Sequence, residues 1–134
     1  MPVKNLFGTS GVRGLAKTEI TKEFSKRLGK AFGAFIGKKR VVVVGRDNRP
    51  GSEMVSKAVK AGLETVGVEV KDFGVVPTPE LSFHLLRIKA DGGVMITGSH
   101  LPIEYLGIVP VLADGCGVFG KVGEQITKIF YEQK

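Results

Sequence analysis

The sequence predicts an α/β fold, a single three-layer α/β/α domain over residues 1–134 with a mostly parallel (mixed) sheet. Two observations carry this prediction: short runs of β-branched residues alternate with segments of helical periodicity, and glycines stand at the ends of the apolar runs. Such alternation is typical of parallel strands joined by right-handed helical crossovers, with helices on both faces of the sheet. A chain of 134 residues with 43% hydrophobic residues is long enough to bury one core.

The first half of the chain contains two predicted helices with a predicted strand between them. Apolar residues recur at helical spacing from Thr21, the predicted N-cap, until Gly37 ends the first helix. Residues 41–44 are four consecutive valines, which indicates a strand buried on both faces of a parallel sheet. Ser52 is the predicted N-cap of a second helix, which continues to about residue 66.

The second half continues the alternation of strands and helices. Thr78 is the predicted N-cap of a short helix, with Pro79 at its first position. The predicted elements of this half are strands over residues 68–73, 91–96 and 106–112 and helices over residues 79–87 and 122–131. Because ligands bind at the carboxyl ends of strands in such folds, we expect the loops at 45–51, 74–79 and 97–105 to lie together.

The composition excludes several classes of protein. One cysteine and two histidines are too few for a disulfide or for a metal site based on these residues, so a reducing cytoplasm is the expected location. No apolar run approaches the ~20 residues that span a bilayer, and we expect no membrane contact. A net charge of +7 is compatible with nucleic acid, a membrane surface or small anionic ligands such as phosphate esters, and the charge alone does not decide among them. The basic run at 38–40 lacks interleaved aromatic residues for base stacking, so we expect no nucleic acid.

Ser99 is the best candidate nucleophile, because it follows a predicted buried strand. It stands in T-G-S-H-L-P, where Gly98 lets a ligand approach the backbone and His100 can exchange protons. The segment is not a hydrolase elbow, since the G-x-S-x-G pattern needs a second glycine where Leu101 stands. The alternative is a serine that only hydrogen-bonds the loop backbone.

Two further segments have the donors that a phosphate dianion requires. The sequence F-G-T-S-G-V-R-G near the N-terminus combines the hydroxyls of Thr9 and Ser10 with the guanidinium of Arg13. The alternative is a flexible tail with one exposed arginine. In the later loop G-R-D-N-R-P-G, Arg46 can reach the same ligand, while we expect one of the two arginines to pair with Asp47.

Together these segments resemble the first domain of the α-D-phosphohexomutases, the phosphoglucomutase and phosphomannomutase superfamily. They occur in the family's order, with F-G-T-S-G-V-R-G at 7–14, V-V-V-G-R-D-N-R at 42–49, G-V-V-P-T-P at 74–79 and T-G-S-H-L-P at 97–102. Four matching segments with the right spacing are far more specific than any one motif. The resemblance covers nearly the whole chain and implies the catalytic-serine domain of a phosphohexomutase-like protein.

The resemblance implies a role for each candidate residue. Ser99 corresponds to the serine that family members carry as a phosphoserine, which donates its phosphoryl group to a hexose monophosphate and takes one back from the bisphosphate intermediate. His100 would stand beside the phosphoserine, and Arg13 with Ser10 would line the cleft near the phosphate. Magnesium would be bound by Ser99 through its phosphate only, and a hexose 1,6-bisphosphate would act as activator.

The chain also departs from the family's pattern. Family members have four domains, with a D-x-D-x-D metal loop in the second, whereas the aspartates of this chain are widely scattered. We therefore expect weak magnesium binding and no complete mutase cycle without the remaining mutase domains or a mutase partner chain. Leu106 stands where the family has an asparagine and Val109 where it has a lysine, which removes groups expected to assist proton transfer and to hold phosphate.

The alternative reading of these departures is a stand-alone, non-catalytic module that binds phosphosugars or regulates a mutase. If the domain is cut from a longer chain, the apolar surface that faces the next domain would be exposed, which favours self-association.

Overall fold

The computed structural model describes residues 6–7, 11–98 and 101–133, and over these ranges four helices surround a five-stranded sheet. Residues 1–5, 8–10, 99–100 and 134 lie outside the described residues. The elements are β1 (Val12–Leu15), α1 (Lys22–Ile36), β2 (Val41–Arg46), α2 (Ser52–Thr65), β3 (Glu69–Val75), α3 (Thr78–Arg87), β4 (Gly92–Ile96), β5 (Tyr105–Leu112) and α4 (Gly120–Glu132). None of these helices combines the length and the apolar character that crossing a membrane requires.

The sheet is mixed, with the strand order β1-β5-β4-β2-β3. β2 lies parallel to both β3 and β4, whereas β5 is antiparallel to β4 and β1 is antiparallel to β5. Only β5 therefore runs against the other four strands. The predicted α/β fold with a mostly parallel, mixed sheet is confirmed. Because β2 and β4 are parallel neighbours, their carboxyl ends at Arg46 and Ile96 lie side by side.

Two apolar cores, one on each face of the sheet, produce the three layers. The larger core packs α1, α2 and α4 against the sheet, and the smaller core packs α3 against the opposite face. Val42 and Val44 of β2 belong to the larger core, Val43 belongs to the smaller, and all three are fully buried. The run of consecutive valines thus reflects a central strand that is covered on both faces.

Helices α1 and α2 approach each other closely at Gly29 and Gly62. A β-carbon at Gly29 would collide with the carbonyl oxygen of Val59, and one at Gly62 would collide with the carbonyl oxygen of Lys26. Only glycine allows two helix backbones to come this near. The close packing holds α2 in place, and its first turn follows directly on the loop after β2.

The boundaries of α1 and β2 are explained by their hydrogen bonds. Thr21 is the N-cap of α1, as predicted, and its hydroxyl accepts a 3.1 Å hydrogen bond from the N–H of Phe24. The four valines underestimate the length of β2, because Gly45 and Arg46 also pair with β4. The site residues that follow β2 therefore begin farther along the chain than the apolar run suggests.

The predicted N-caps of α2 and α3 are each wrong by one residue. Gly51, with a φ of 86°, is the N-cap of α2, and Ser52 is its first helical residue. The buried hydroxyl of Ser52 donates instead to the carbonyl oxygen of Asp47 at 2.8 Å. In α3 the cap is Pro77, and Thr78 begins the helix.

The strand β1 has no counterpart among the predicted elements. Its four residues pair antiparallel with β5, from Val12 opposite Ile108 to Leu15 opposite Tyr105. Val12 belongs to the larger core, and the burial of β1 alternates along the strand. This pairing adds residues 12–15 to the sheet beside β5.

Candidate active site

Asp47 joins the carboxyl ends of β2 and β4. Its backbone N–H donates to the carbonyl oxygen of Ile96 at 2.9 Å, and its side-chain Oδ2 accepts a 2.9 Å hydrogen bond from the N–H of Gly98. The residues that follow parallel neighbouring strands meet at one edge of a sheet, where α/β folds bind ligands. One aspartate thus ties the β2–α2 loop (residues 47–51) to the start of the β4–β5 loop (residues 97–104).

The carboxylate of Asp47 also organises its own loop. Its Oδ1 accepts a 3.0 Å hydrogen bond from the backbone N–H of Arg49, and its Oδ2 lies 3.6 Å from Nε of the same arginine. The side chains of Asp47 and Arg49 are only 24% and 16% exposed, so this ion pair is largely shielded from water. Hydrogen bonds to an ionised carboxylate are stronger than those between neutral groups. The prediction that one arginine of this loop pairs with Asp47 is confirmed for Arg49.

Arg49 reaches from the β2–α2 loop to the far end of the β4–β5 loop. Its Nη1 donates to the carbonyl oxygen of Pro102 at 2.7 Å and to that of Tyr105 at 3.3 Å. The guanidinium also lies directly against Gly98, where a β-carbon would collide with Nη1, Cζ and Nε. Asp47 and Arg49 therefore contact both ends of the β4–β5 loop.

Four predicted site residues lie outside the described residues: the candidate nucleophile Ser99, its neighbour His100, and the hydroxyl residues Thr9 and Ser10. The described residues that flank 99–100 are held by hydrogen bonds. The N–H of Leu101 donates to the carbonyl oxygen of Gly98 at 2.9 Å, and the N–H of Tyr105 donates to that of Pro102 at 3.0 Å. The catalytic roles of Ser99 and His100 remain predictions.

Arg46, a predicted phosphate ligand, interacts with its own loop and with α2. Its Nη1 donates to the carbonyl oxygen of Asp47 at 3.2 Å and to Oγ of Ser52 at 3.4 Å, and its Nη2 lies 3.6 Å from Oε2 of Glu53. A hydrogen bond and the positive charge from Lys57, together with the charge of Arg46, lower the pKa of Glu53. Phosphate binding by Arg46 remains a prediction, and it would have to compete with Glu53.

Arg13, the other predicted phosphate ligand, lies on β1 and is exposed. Its partner in the sheet is Gly107 of β5. Gly107 in turn exchanges two backbone hydrogen bonds of 2.9 and 3.0 Å with Thr97, at the start of the β4–β5 loop. The structure therefore brings Arg13 to the edge where that loop begins. Burial alternates along V-R-G-L, with Val12 and Gly14 buried and Arg13 and Leu15 exposed.

The two positions that depart from the family's pattern differ in their surroundings. Leu106 is fully buried in the larger core, and its Cδ1 lies 3.4 Å from where a β-carbon on Gly51 would stand. Val109 is only partly buried, packs against the smaller core and pairs with Met95 of β4. Neither side chain offers a polar group to a ligand.

Of the three loops that we expect to lie together, each of two pairs is joined by hydrogen bonds. The loops at 45–51 and 97–105 interact directly through Asp47 and Arg49. The loop at 74–79 meets the first of them where the N–H of Val76 donates to the carbonyl oxygen of Arg46 at 3.1 Å. Sequence reasoning treated Asp47 as a partner for an arginine and missed its bond to Gly98.

His84 and Cys116 contact residues outside the β2–α2 and β4–β5 loops. The ring of His84 stacks on Phe73 with 4.2 Å between the ring centroids. Cys116 is exposed, and a hydrogen bond and the negative charge from Asp114 raise the pKa of its thiol. A raised pKa disfavours the thiolate, which is the reactive form of cysteine.

No cluster of three or more His, Cys, Asp or Glu side chains suited to a metal ion occurs within residues 6–7, 11–98 and 101–133. Asp47 contacts the start of the β4–β5 loop through Gly98, and its carboxylate interacts with Arg49 and accepts hydrogen bonds from two backbone amides.

A family model agrees with this architecture over almost the entire chain. Residues 4–134 match the model described as phosphoglucomutase/phosphomannomutase, alpha/beta/alpha domain I. The chain belongs to this family. The resemblance carried by the four sequence segments is thereby confirmed, and the β4–β5 loop with its Asp47 and Arg49 contacts is a feature of domain I in this chain.

Curated relatives are mutases of greater length. The domain is 44% identical over 129 residues to the phosphoglucosamine/phosphogalactosamine mutase of Sulfurisphaera tokodaii. This match covers 96% of this chain and 28% of the relative. It is 42% identical over 132 residues to the phosphoglucomutase/phosphomannomutase of Thermococcus kodakarensis, covering 96% of this chain and 29% of the relative. The chain thus spans less than a third of the length of these relatives.

Solved structures show the same fold. A phosphomannomutase structure from Thermus thermophilus superposes with a TM-score of 0.85 at 35% identity, covering 96% of this chain and 30% of the other. A phosphoglucomutase from Paramecium superposes with a TM-score of 0.70 at 21% identity, covering 95% of this chain and 25% of the other. The second comparison shows the fold alone.

Proposed function

We propose that this domain carries the phosphoryl group of a phosphohexomutase on Ser99. The hydrogen bond from Gly98 to Asp47 is the observation that carries the proposal. It fixes the backbone of the residue that precedes the candidate nucleophile, at the edge of the sheet where α/β folds bind ligands. Membership of domain I in the mutase family supplies the reaction class.

In the proposed reaction Ser99 and a sugar exchange one phosphoryl group. When a hexose 1,6-bisphosphate charges Ser99, a bond forms between the serine oxygen and phosphorus while the bond between phosphorus and a sugar oxygen breaks. The serine proton passes to a base, for which we propose His100, and the sugar oxygen takes up a proton. The charged serine then transfers its phosphoryl group to the 6-oxygen of a hexose 1-phosphate, which gives a 1,6-bisphosphate. After this bisphosphate has turned, Ser99 takes back the phosphoryl group on the 1-oxygen and leaves a hexose 6-phosphate. Such reactions depend mainly on positioning and charge stabilisation.

The anionic substrate needs cations and hydrogen-bond donors beside Ser99. We propose that Arg13 and Ser10 contact the phosphate, with Thr9 and Arg46 as further ligands. Arg13 is supported by its place on β1, where Gly107 links it to Thr97 two residues before Ser99. The net charge of +7 favours the approach of a phosphate ester.

Magnesium enters the proposal through the phosphate on Ser99. We propose that the remaining ligands lie on another part of the mutase, because no cluster of three or more His, Cys, Asp or Glu side chains suited to a metal ion occurs among the described residues. A bound magnesium ion would offset negative charge on the transferred group. The residues of this chain would hold the serine and the sugar phosphate.

The chain covers less than a third of the length of its curated relatives, which suggests that other domains or chains complete the mutase. We propose that residues 1–134 act as one domain beside the remaining mutase domains or a mutase partner chain, since the relatives are more than three times as long as the matched segment. The cytoplasm is the proposed location, and the domain alone is expected to complete no cycle.

A second candidate function is a non-catalytic module that binds hexose phosphates or regulates a mutase. The apolar side chains of Leu106 and Val109, at positions where the family has an asparagine and a lysine, favour it. This candidate keeps phosphate binding at Arg13 and gives up phosphoryl transfer at Ser99.

The test is transfer of phosphate from a hexose 1,6-bisphosphate to the protein, with magnesium and the remaining domains present, followed by mass spectrometry of the peptide that contains Ser99. We expect labelling in the wild type and in a Ser82→Ala control, and none in Ser99→Ala. Equal labelling of Ser99→Ala would exclude the carrier role. Calorimetric titration with hexose phosphates then tests the second candidate, which requires binding without labelling.

A further inference from the structure

The side chain of Arg49 is placed to act on the geometry of the β4–β5 loop. This side chain is only 16% exposed although Arg49 lies in a loop, and the side chain of its ion-pair partner Asp47 is 24% exposed. A guanidinium is a planar group with donors in a fixed arrangement, so several simultaneous contacts fix its position and the positions of its partners.

The contacts of Arg49 and Asp47 divide between the two ends of this loop. At the near end, Asp47 Oδ2 accepts the 2.9 Å hydrogen bond from Gly98. At the far end, Arg49 Nη1 donates to Pro102 at 2.7 Å and to Tyr105 at 3.3 Å. The ion pair of 3.6 Å between the two side chains connects these contacts. A displacement of either side chain would therefore move both ends of the loop.

Gly98 constrains the loop sterically, in addition to the hydrogen bonds and the ion pair. A β-carbon at this position would overlap three atoms of the Arg49 guanidinium. The absence of a side chain allows the guanidinium to lie flat against the backbone immediately before Ser99. Arg49 thereby fills the space into which Gly98 would otherwise be able to move.

We propose that Arg49 is a positioning residue for phosphoryl transfer, which holds the β4–β5 loop in one conformation together with Asp47. The proposal rests on the proposed function of Ser99 for its catalytic part. Its structural part is measured at Gly98 and Leu101, the described residues on either side of positions 99 and 100. The two parts are measured separately below.

The structural part is tested by amide hydrogen exchange on the wild type, Arg49→Met and Arg49→Lys. The N–H groups of Gly98 and Leu101 report on the loop, since both donate within it or to Asp47. We expect about tenfold faster exchange at these amides in Arg49→Met and an intermediate value in Arg49→Lys. The control is Arg40→Met, which removes an arginine that is 60% exposed and pairs with Asp91 at the opposite end of β4. Unchanged exchange in Arg49→Met would overturn the proposal.

The catalytic part is tested by the rate at which a hexose 1,6-bisphosphate labels Ser99 in the same variants, with magnesium and the remaining domains present. Misplacement of a reacting group by about 1 Å lowers a rate roughly 10²-fold. We expect a loss of that order in the maximal rate of Arg49→Met, with little change in the bisphosphate concentration at half-maximal rate, and partial recovery in Arg49→Lys. A large rise in that concentration with an unchanged maximal rate would identify Arg49 as a substrate ligand and overturn the positioning role.

The two parts can fail independently. Absence of labelling in the wild type would remove the proposed function, and the exchange data would still decide whether Arg49 fixes the loop. Labelling in the wild type that is equally fast in Arg49→Met would leave the proposed function intact and overturn the inference. If Arg49→Met does not fold, as judged by its unfolding transition, Arg49→Lys supplies both measurements.

Discussion

The backbone N–H of Gly98 donates a 2.9 Å hydrogen bond to Oδ2 of Asp47, although the two residues are 51 positions apart in the chain. The bond connects the ends of two parallel strands, β2 and β4, and fixes the residue that immediately precedes the candidate nucleophile. Asp47 is 24% exposed and accepts a second backbone hydrogen bond from Arg49. The carboxylate of Asp47 therefore connects two loops of the candidate active site directly.

Replacement of Asp47 by alanine is expected to destabilise the domain by about 2–3 kcal/mol, because it leaves two backbone amides and the charge of Arg49 without their acceptor. The measurement is the free energy of unfolding in urea. Asp72→Ala is the matched control, since Asp72 accepts one hydrogen bond of 2.8 Å from the N–H of Gly74 on the exposed edge of the sheet. We expect the control to lose less than about 1 kcal/mol. Similar losses in both variants would mean that the bond to Gly98 adds nothing to stability.

Replacement of Gly98 by alanine is expected to destabilise the domain because the new methyl group overlaps the guanidinium of Arg49. Overpacking of this kind costs about 1–3 kcal/mol. The same substitution in an Arg49→Ala background has space for the methyl group, so a double-mutant cycle is expected to show a coupling of about 1 kcal/mol or more.

Gly117→Ala is the control for this cycle, because no heavy atom lies within 4 Å of the position that its β-carbon would take. It is expected to change stability by less than about 0.5 kcal/mol. Additive effects of Gly98→Ala and Arg49→Ala would show that the two residues do not compete for the same space.

The sequence pattern is sufficient to predict the elements that have strong apolar periodicity or that are buried throughout. The capping of α1 by Thr21 and the central place of the valines in β2 follow from local chemistry, and the structure agrees. β1 was missed because four residues in a glycine-rich segment give little periodicity until β5 is present to pair with them. The bond from Gly98 to Asp47 was missed for a related reason, since it depends on the order of the strands and not on neighbours in the chain.

The candidate site is less predictable from the sequence than the secondary-structure elements are. The residues alone show Ser99 only as a serine after a predicted buried strand, and its proposed role depends on the family resemblance. The pairing of Asp47 with an arginine was predictable from their spacing, whereas the reach of Arg49 to Pro102 and Tyr105 required the fold. Local sequence thus indicates which groups are available, and the topology determines which of them meet.

Replacement of Gly62 by alanine tests the close approach of α1 and α2. In an isolated helix this change would stabilise by about 1 kcal/mol, because glycine is a poor helix former. In this domain the new β-carbon would collide with the carbonyl oxygen of Lys26 and lie 2.8 Å from the backbone nitrogen of Lys30. We therefore expect the opposite sign, a net loss of at least about 1 kcal/mol in the free energy of unfolding. Glu64→Ala, on the exposed side of the same helix, is expected to change it by less than about 0.5 kcal/mol.

Restoring the family's residues at the two departing positions is expected to have unequal effects on stability. Leu106→Asn removes a fully buried apolar side chain and places an amide in the larger core, so we expect a loss of about 3–5 kcal/mol. Val109→Lys changes a partly buried residue, and the lysine stem can cover the smaller core while its ammonium reaches water, so we expect a loss below about 1.5 kcal/mol. Urea unfolding of both variants measures the difference.

The same two variants separate the two candidate functions. If phosphoryl transfer to Ser99 is limited by a missing cation, Val109→Lys is expected to raise the labelling rate by a hexose 1,6-bisphosphate, because an ammonium group stabilises the charge of the transferred phosphate. If the domain is a binding or regulatory module, the lysine strengthens hexose phosphate binding in calorimetry and labelling stays absent. A Leu106→Asn variant as stable as the wild type would show that polar partners for an amide exist around this position. Asparagine would then fit this position, and the leucine would no longer favour a regulatory module over a mutase domain.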